Sequence, residues 1–461
     1  MAKAKKSKSV FFCTDCGADT PRWLGKCPSC GAWNTLTEEK VRPAPKGASR
    51  AVPRGIAPRS PAQPLSDVRP EDAARRSCGI GELDRVLGGG VVAGSAILLG
   101  GDPGIGKSTL LMQALTGLAT EDGPALYISG EESAAQIALR ARRLAVDTRH
   151  VLVQATTDLE EVEDTIAKEK PGVVVIDSVQ TLRSGSLESV AGSVSQIREV
   201  ASRLIEIAKR EGTTLFLIGH VTKEGMLAGP KVLEHLVDTV LAFEGDTSGA
   251  FRLVRANKNR FGAAHEVGVF EMVQDGLREV PDPSALFLAE RPERAAGSVV
   301  VPTAEGSRPL LVELQALLAS AVYGSARRVV SGVDSSRVAI LLAVLDKKAG
   351  IHALDQDVFV SVTGGARIDE RAAELPLALA MVSSLRERAL PQELVAFGEV
   401  GLAGEVRAVP RAGQRLQEAK KLGFTRAILP AGNLDRLNGD APRGMKLIGV
   451  RTLAEALERA F

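Results

Sequence analysis

The stretch Gly101-Asp102-Pro103-Gly104-Ile105-Gly106-Lys107-Ser108 decides how this chain is read. It follows an apolar run, Ala96-Ile97-Leu98-Leu99, that reads as a buried strand. It leads into Thr109-Leu110-Leu111-Met112-Gln113-Ala114-Leu115, which reads as a helix. Between a strand and a helix, successive backbone N–H groups of such a loop wrap phosphate oxygens, and the helix N-terminus adds partial positive charge. Lys107 then reaches the β- and γ-phosphates, and the Ser108 hydroxyl ligates Mg²⁺. A glycine-rich turn without a ligand is the rival reading, and the flanking strand and helix disfavour it. The expectation is an ATP site built from Gly101, Asp102, Pro103, Gly104, Ile105, Gly106, Lys107, Ser108 and Thr109.

Outward from the loop, residues 71–280 alternate apolar strands with amphipathic helices. The strands are Ala96–Leu99, Ala125–Ser129, Val173–Ile176, Leu215–Ile218 and Thr239–Phe243, and a helix over Arg198–Arg210 repeats Val200, Leu204, Ile207 and Ala208 at helical spacing. This alternation predicts an α/β fold with a mainly parallel sheet. Val173–Ile176 ends in Asp177, the carboxylate that in P-loop enzymes holds the magnesium ion, although an Asp in this position also serves as a helix cap. Tyr127-Ile128-Ser129-Gly130-Glu131-Glu132 ends the preceding strand in a carboxylate pair. Glu131 is assigned to orient the attacking water, with Glu132 as the alternative; a solvated acidic pair opening a helix is the bland reading. His220 ends a strand where a sensor of the γ-phosphate belongs, though a lone His is more often structural. The following loop, Val221–Lys231 with Lys223, Gly225, Gly229 and Lys231, and the Gly/Ser-rich segment Arg183–Ser195 suit either backbone contact with single-stranded DNA or a plain surface. Lys258-Asn259-Arg260-Phe261-Gly262 follows a strand at Phe251–Arg255. Its two cations can grip phosphate on DNA or on a neighbouring subunit's ATP, and a basic turn is the alternative.

The 461 residues exceed one hydrophobic core, so several domains are expected. Pro281 and Pro283 open a second α/β unit over 281–461, with strands Ser298–Pro302, Val358–Val362 and Ala427–Leu429 and helices Ser336–Leu345 and Ala372–Leu385. Upstream, residues 41–70 hold seven prolines, six Arg or Lys, one acid and no aromatic residue, so the span 37–70 reads as an extended tether. Residues 1–36 form a basic tail and a module with Cys13-x2-Cys16 and Cys27-x2-Cys30. Two such pairs predict a four-thiolate zinc site, two disulfides being disfavoured in a reducing compartment. Trp23 and Trp33 are expected as the core of so small a module, and Cys78 as an isolated buried residue. A net charge of +2 leaves any nucleic-acid contact to local patches. Aromatic residues at 3% argue against an extensive base-stacking surface, so phosphate contact should dominate. No apolar run of about 18 residues and no signal-peptide core are present, which predicts a cytoplasmic protein with no membrane contact.

The four-cysteine module, the lead-in Cys78-Gly79-Ile80-Gly81-Glu82-Leu83-Asp84-Arg85-Val86-Leu87-Gly88-Gly89-Gly90, the P-loop and Lys258-Asn259-Arg260-Phe261-Gly262 together resemble the bacterial RadA/Sms family of recombination proteins, relatives of RecA. The resemblance spans essentially the whole chain. It implies a RecA-like ATPase domain, a DNA-dependent ATPase of homologous recombination and repair, and hexameric rings that travel on single-stranded DNA and drive branch migration beside a RecA-type recombinase. It also implies that Lys258 and Arg260 couple ATP and DNA binding. The C-terminal unit resembles the proteolytic domain of Lon proteases, whose Ser-Lys dyad is replaced here by Ala372 and Arg415. Alanine offers no nucleophile and a permanently charged guanidinium no general base, so a scaffold is expected rather than a protease. An ATP-dependent protease and a KaiC-type regulatory ATPase remain as competing functions.

Overall fold

A computed structural model describes residues 8–13, 18–29, 31–41, 64, 75–220, 232–245, 251–304, 309–321, 326–363, 367–437 and 441–461. Cys16, Cys30, the loop with Lys223, Gly225, Gly229 and Lys231, and nearly all of the tether lie outside the described residues. Two compact units are present: Met1–Glu244 with Arg252–Glu279, and Gly245–Phe251 with Val280–Phe461.

The N-terminal module is a three-stranded antiparallel sheet in which β1 (Lys8–Cys13) pairs with β2 (Asp19–Thr20) and β3 (Leu36–Val41). Pairing of Lys8 with Val41 carries the module past the boundary at 36 that composition suggests. Both cysteine turns close alike: the Cys13 N–H donates to the Ala18 carbonyl at 2.9 Å, and the Cys27 N–H to the Ala32 carbonyl at 2.8 Å. Cys13, Cys27 and Leu36 fill the centre, with Phe11, Ala18 and Leu24 against them. Trp23 and Trp33 are not core, contrary to expectation; they are 54% and 70% exposed. Three short strands leave no interior volume for two indoles once thiols and Leu36 occupy the middle.

In the ATPase unit, β4 (Arg75–Arg76) and β5 (Val91–Val92) bracket α1 (Gly81–Leu87). Then follow β6 (Ala96–Gly101), α2 (Lys107–Leu118), β7 (Ala125–Ser129), α3 (Ala134–Arg143), β8 (Val151–Ala155), α4 (Leu159–Glu169), β9 (Val173–Asp177), α5 (Val194–Glu211) and β10 (Thr214–His220). The unit closes with α6 (Val232–Leu236), β11 (Thr239–Gly245), β12 (Phe251–Asn259), β13 (Val267–Val273) and β14 (Gly276–Glu279). The sheet order is β14-β13-β12-β11-β6-β10-β9-β7-β8, parallel from β11 to β8 and antiparallel between β13 and β14. β6 is buried at every position, as a strand covered on both faces must be. Its side chains alternate between two cores: Ile97 and Leu99 join the α2 side, Ala96 and Leu98 the α4–α5 side. On α5, Val200, Leu204 and Ala208 are buried as the periodicity predicts, and Ile207 is only partly so.

The C-terminal unit runs through α7 (Pro283–Leu288), β15 (Ser298–Thr303), β16 (Leu310–Ser320), β17 (Arg328–Val330), α8 (Ser335–Ala349) and β18 (Gln356–Val362). A 3₁₀ turn, Arg371–Ala373, enters α9 (Glu374–Leu385), which is followed by β19 (Leu394–Ala396) and the hairpin β20 (Glu399–Val400) and β21 (Val406–Arg407). α10 (Ala412–Lys421), β22 (Arg426–Pro430), α11 (Ala431–Leu434), β23 (Lys446–Val450) and α12 (Leu453–Ala460) complete it. Seven strands form one sheet in the order β17-β18-β16-β15-β19-β22-β23. Glu374–Ser384 of α9 is buried without interruption, so this helix is a core element and not a surface one.

Candidate active site

The parallel register aligns the C-terminal ends of four strands along one edge. His220 pairs with Gly101, and Ser129 with Asp177, so the loops after β6, β10, β9 and β7 open on the same side. In open α/β sheets ligands sit at this edge. α2 begins there at Gly106, in the left-handed region at φ +116°, with no side-chain cap. α3, α4 and α5 are capped by Ser133, Asp158 and Ser193. The first-turn N–H donors of α2 are therefore not taken up by a cap and suit an anion. Gly104, at φ +76°, faces open space, so the backbone at the loop crest is accessible to a ligand.

Pro103, Gly104, Gly106, Lys107, Ser108 and Thr109 line a cavity of about 310 Å³ together with Glu131, Glu132, Arg140, Arg143 and Asp177. Lys107 is only 4% exposed, and its Nζ donates to the carbonyls of Gly101 at 2.7 Å and Asp102 at 2.9 Å. Burial pulls its pKa down, while Asp177, Asp102 and Glu131 pull it back up. Ile105 is buried, and its carbonyl accepts from Arg252 Nε at 2.9 Å, which pins the back of the loop. Thus Lys107 and Ser108, Glu131 and Asp177, drawn from three separate segments of the sequence, converge on one space.

The structure divides the acidic pair. Glu131 Oε1 accepts from the Ser178 hydroxyl at 2.7 Å, whereas Glu132 is ion-paired with Arg140. Tyr127, fully buried in β7, donates its hydroxyl to Asp177. Burial, reinforced by the Asp177 carboxylate, pushes the phenol pKa well above its ordinary value, so Tyr127 stays a neutral donor. Arg140 Nη1 stands 4.0 Å from Asp177 Oδ2 and has no hydrogen-bond partner. Sequence reasoning does not single out Tyr127, Arg140, Arg143 or Ser178. Tyr127 sits inside the segment that draws attention to Glu131, but a strand tyrosine reads as core. Arg140 and Arg143 look like the ordinary basic end of a helix.

Other sequence candidates lie elsewhere. His220 is placed at the cavity edge by its strand, and its side chain is outside the described atoms. Segment Arg183–Ser195 is tied down, because Gln196 Nε2 donates to the Ser184 and Ser189 carbonyls at 3.3 and 3.0 Å, and Glu160 accepts from the Gly185 N–H at 3.1 Å. β12 extends through Asn259, so Lys258 belongs to the strand and does not follow it. Lys258 Nζ donates to the carbonyls of Glu234 (2.7 Å) and Val237 (2.8 Å) at the end of α6. Burial, then the nearby Arg260, lower its pKa. Arg260 Nη1 bonds Asp238 at 3.1 Å, and the other oxygen of that buried carboxylate accepts from the Ala96 N–H at 3.1 Å. Asn259 Nδ2 reaches the Val86 carbonyl at 3.2 Å, and the Gly262 and Gly88 backbones pack too closely for a side chain on either. The pentapeptide therefore packs on the Cys78–Gly90 lead-in at the start of β6, whereas the P-loop leaves its end. At about 3.3 Å per residue, the six residues of β6 separate the two by roughly 20 Å.

In the C-terminal unit, Ala372 is buried in the turn before α9. Arg415 is 0% exposed; its guanidinium grips Glu370 at 2.7 and 2.5 Å and also bonds the Pro302 and Pro410 carbonyls. The Phe397 ring lies 5.8 Å from it. Such a cation is fully engaged in holding the fold together.

Comparison with known proteins agrees with this anatomy. Residues 61–226 match the AAA domain family, residues 11–38 the rubredoxin metal binding domain, and residues 304–433 the ChlI subunit of Mg-chelatase. The DNA repair protein RadA of Pseudomonas aeruginosa is 52% identical over 461 residues, covering all of both chains. This chain belongs to the RadA family of DNA repair proteins. The RadA proteins of Escherichia coli and Bacillus subtilis are 50% and 47% identical, over 98% and 99% of each chain. The RadA architecture accounts for the α/β class, with a RecA-like P-loop domain, an N-terminal zinc ribbon and a Lon-like C-terminal domain. No helix among the described residues is long and apolar enough to cross a membrane.

Proposed function

We propose that this chain is a DNA-dependent ATPase of homologous recombination and repair, a ring-forming translocase or helicase on single-stranded DNA that promotes branch migration. The convergence of Lys107, Ser108, Asp177 and Glu131 on one cavity carries the reading, in a chain whose full-length relatives are DNA repair proteins. The loop from Gly101 to Thr109 cradles the phosphates of ATP with its N–H groups, and Lys107 exchanges the Gly101 and Asp102 carbonyls for phosphate oxygens. Ser108 and Asp177 hold magnesium, which when bound offsets the charge that builds on the transferred phosphoryl group. Tyr127 keeps the Asp177 carboxylate in position. Glu131, which accepts from the Ser178 hydroxyl, orients the attacking water.

Lys258 and Arg260 stand at the opposite sheet edge from their own P-loop, which supports their acting on the ATP of a neighbouring subunit or on DNA. Action on a neighbour's ATP calls for a head-to-tail assembly, and a closed homo-hexameric ring is the one we favour. Cys13, Cys16, Cys27 and Cys30 bind zinc; the matched turns at Cys13 and Cys27, both thiols buried, suit a ribbon site. A RecA-type recombinase is the expected protein partner and the cytoplasm the expected compartment.

The test is Lys258→Ala, assayed for ring formation by electron microscopy with an ATP analogue and single-stranded DNA, and for DNA-stimulated ATP hydrolysis. The variant is expected to form rings and to lose stimulation. Stimulated turnover equal to the parent's removes the coupling role, and a parent that stays monomeric and ignores DNA removes the reading itself.

A further inference from the structure

Trp23 and Trp33 are the only tryptophans of the chain, and both are exposed on its smallest module. An exposed indole costs apolar hydration, and two side by side mark a contact surface. They do lie together. A Cβ placed on Gly25 would stand 3.8 Å from Trp23 and 3.8 Å from Trp33, so both rings border one point. The backbone holds them: Lys26 bridges Trp33 antiparallel, and the Asn34 N–H donates to the Gly25 carbonyl at 2.8 Å. Lys26 Nζ lies 5.6 Å from the Trp33 ring, and Arg22, the residue before Trp23, is exposed. From Thr20 to Leu36 the sequence holds no acidic residue.

Two flat rings about a glycine, with Lys26 over one of them and the exposed Arg22 next to Trp23 in the chain, are complementary to a polyanion whose neutral parts are also flat. We infer that Trp23 and Trp33 form a stacking platform for the unpaired bases of single-stranded nucleic acid, with Arg22 and Lys26 on the adjoining phosphates. Indole faces stack on any base, so the platform is indifferent to sequence, and the two cations make it salt-sensitive. A patch meant for an apolar peptide has no use for a cation over one ring, a second exposed cation next in the chain to the other, and no acid between them. The inference rests on the proposed action on single-stranded DNA and names the residues that touch its bases.

Because the chain has no other tryptophan, indole emission of the full-length protein reports on this patch alone. The zinc-loaded protein with an ATP analogue is titrated with oligothymidylate and with an abasic strand of equal length, and binding is followed separately by anisotropy of labelled strands. Oligothymidylate is expected to quench the emission and the abasic strand is not, although both bind. Trp33→Ala should weaken oligothymidylate binding roughly tenfold, by the usual contribution of one stacked base, and leave the abasic strand unaffected. Trp33→Phe should restore most of that loss, with zinc content unchanged in both variants. Oligothymidylate that binds without altering the emission overturns the platform alone, as does a Trp23→Ala/Trp33→Ala protein that binds like the parent. Emission that answers only to an added protein overturns it as well. Absence of any strand binding in the anisotropy measurement overturns the platform and the proposed function together.

Discussion

Two buried cations near helix N-termini, Lys107 and Arg415, are treated in opposite ways. Lys107 is held by two neutral carbonyls and has no carboxylate within ion-pair distance among the described residues, while an open cavity adjoins it. Arg415 is closed on both nitrogens of its fork by Glu370, with carbonyls on what remains. Carbonyl partners can be exchanged for phosphate at small net cost; a bidentate carboxylate in a sealed core cannot. A cation held by neutral carbonyls beside a cavity is left able to change partners, and one sealed by a carboxylate is not. The same contrast separates the two ends of the ATPase sheet, where Asp238 locks Arg260 to the start of β6 and Arg140 keeps one nitrogen without a hydrogen bond beside Asp177.

The contrast is open to attack by substitution. The largest effect is expected from Arg415→Ala, which strands the Glu370 carboxylate; breaking a buried pair from one side costs about 3–5 kcal/mol. Thermal unfolding of the C-terminal unit should shift down accordingly, and a variant as stable as the parent breaks the comparison from the structural side. Lys107→Ala should do the reverse. ATP hydrolysis should fall by roughly 100- to 1,000-fold, the usual cost of losing one donor that meets transition-state charge. Unfolding of the variant should match the parent's or rise, since a desolvated charge has been removed. Normal turnover in Lys107→Ala would remove the P-loop assignment. The smallest effect belongs to Tyr127→Phe, which deletes one hydrogen bond to a charged carboxylate, about 1.5–3 kcal/mol. The magnesium concentration needed for half-maximal binding of a fluorescent ATP analogue should rise roughly tenfold, while binding in excess chelator stays the same. An unchanged magnesium requirement would show that Tyr127 only fills space.

Residues that act through backbone geometry or local order are legible in the amino-acid sequence. The P-loop, the strand ending in Asp177 and the paired cysteines declare themselves by spacing, because each is a short segment whose chemistry depends on its own neighbours in the chain. Residues that act through partners distant in sequence are not legible there. Glu131 and Glu132 are indistinguishable in the sequence, and it is Arg140 and Ser178 that send them in different directions. The same holds for Tyr127, whose hydroxyl meets Asp177 only because β7 and β9 are neighbours in register. Trp23 and Trp33 depart from the compositional expectation for a related reason, since composition reports how apolar a side chain is and not whether the volume exists to enclose it.

The sequence by itself determined that a strand, a glycine-rich loop and a helix follow one another, that two cysteine pairs stand in the N-terminal module, and that Ala372 occupies the position where the resemblance to Lon proteases calls for a nucleophile. Hydrogen-bonding propensity, periodicity and side-chain chemistry act over a few residues, and so are written locally. Only the tertiary structure decided that Lys258 and Arg260 stand at the far edge of the sheet from Lys107, that Arg415 is sealed by Glu370, and that the two indoles are turned outward. Those outcomes depend on strand order and on available volume, which no single segment specifies.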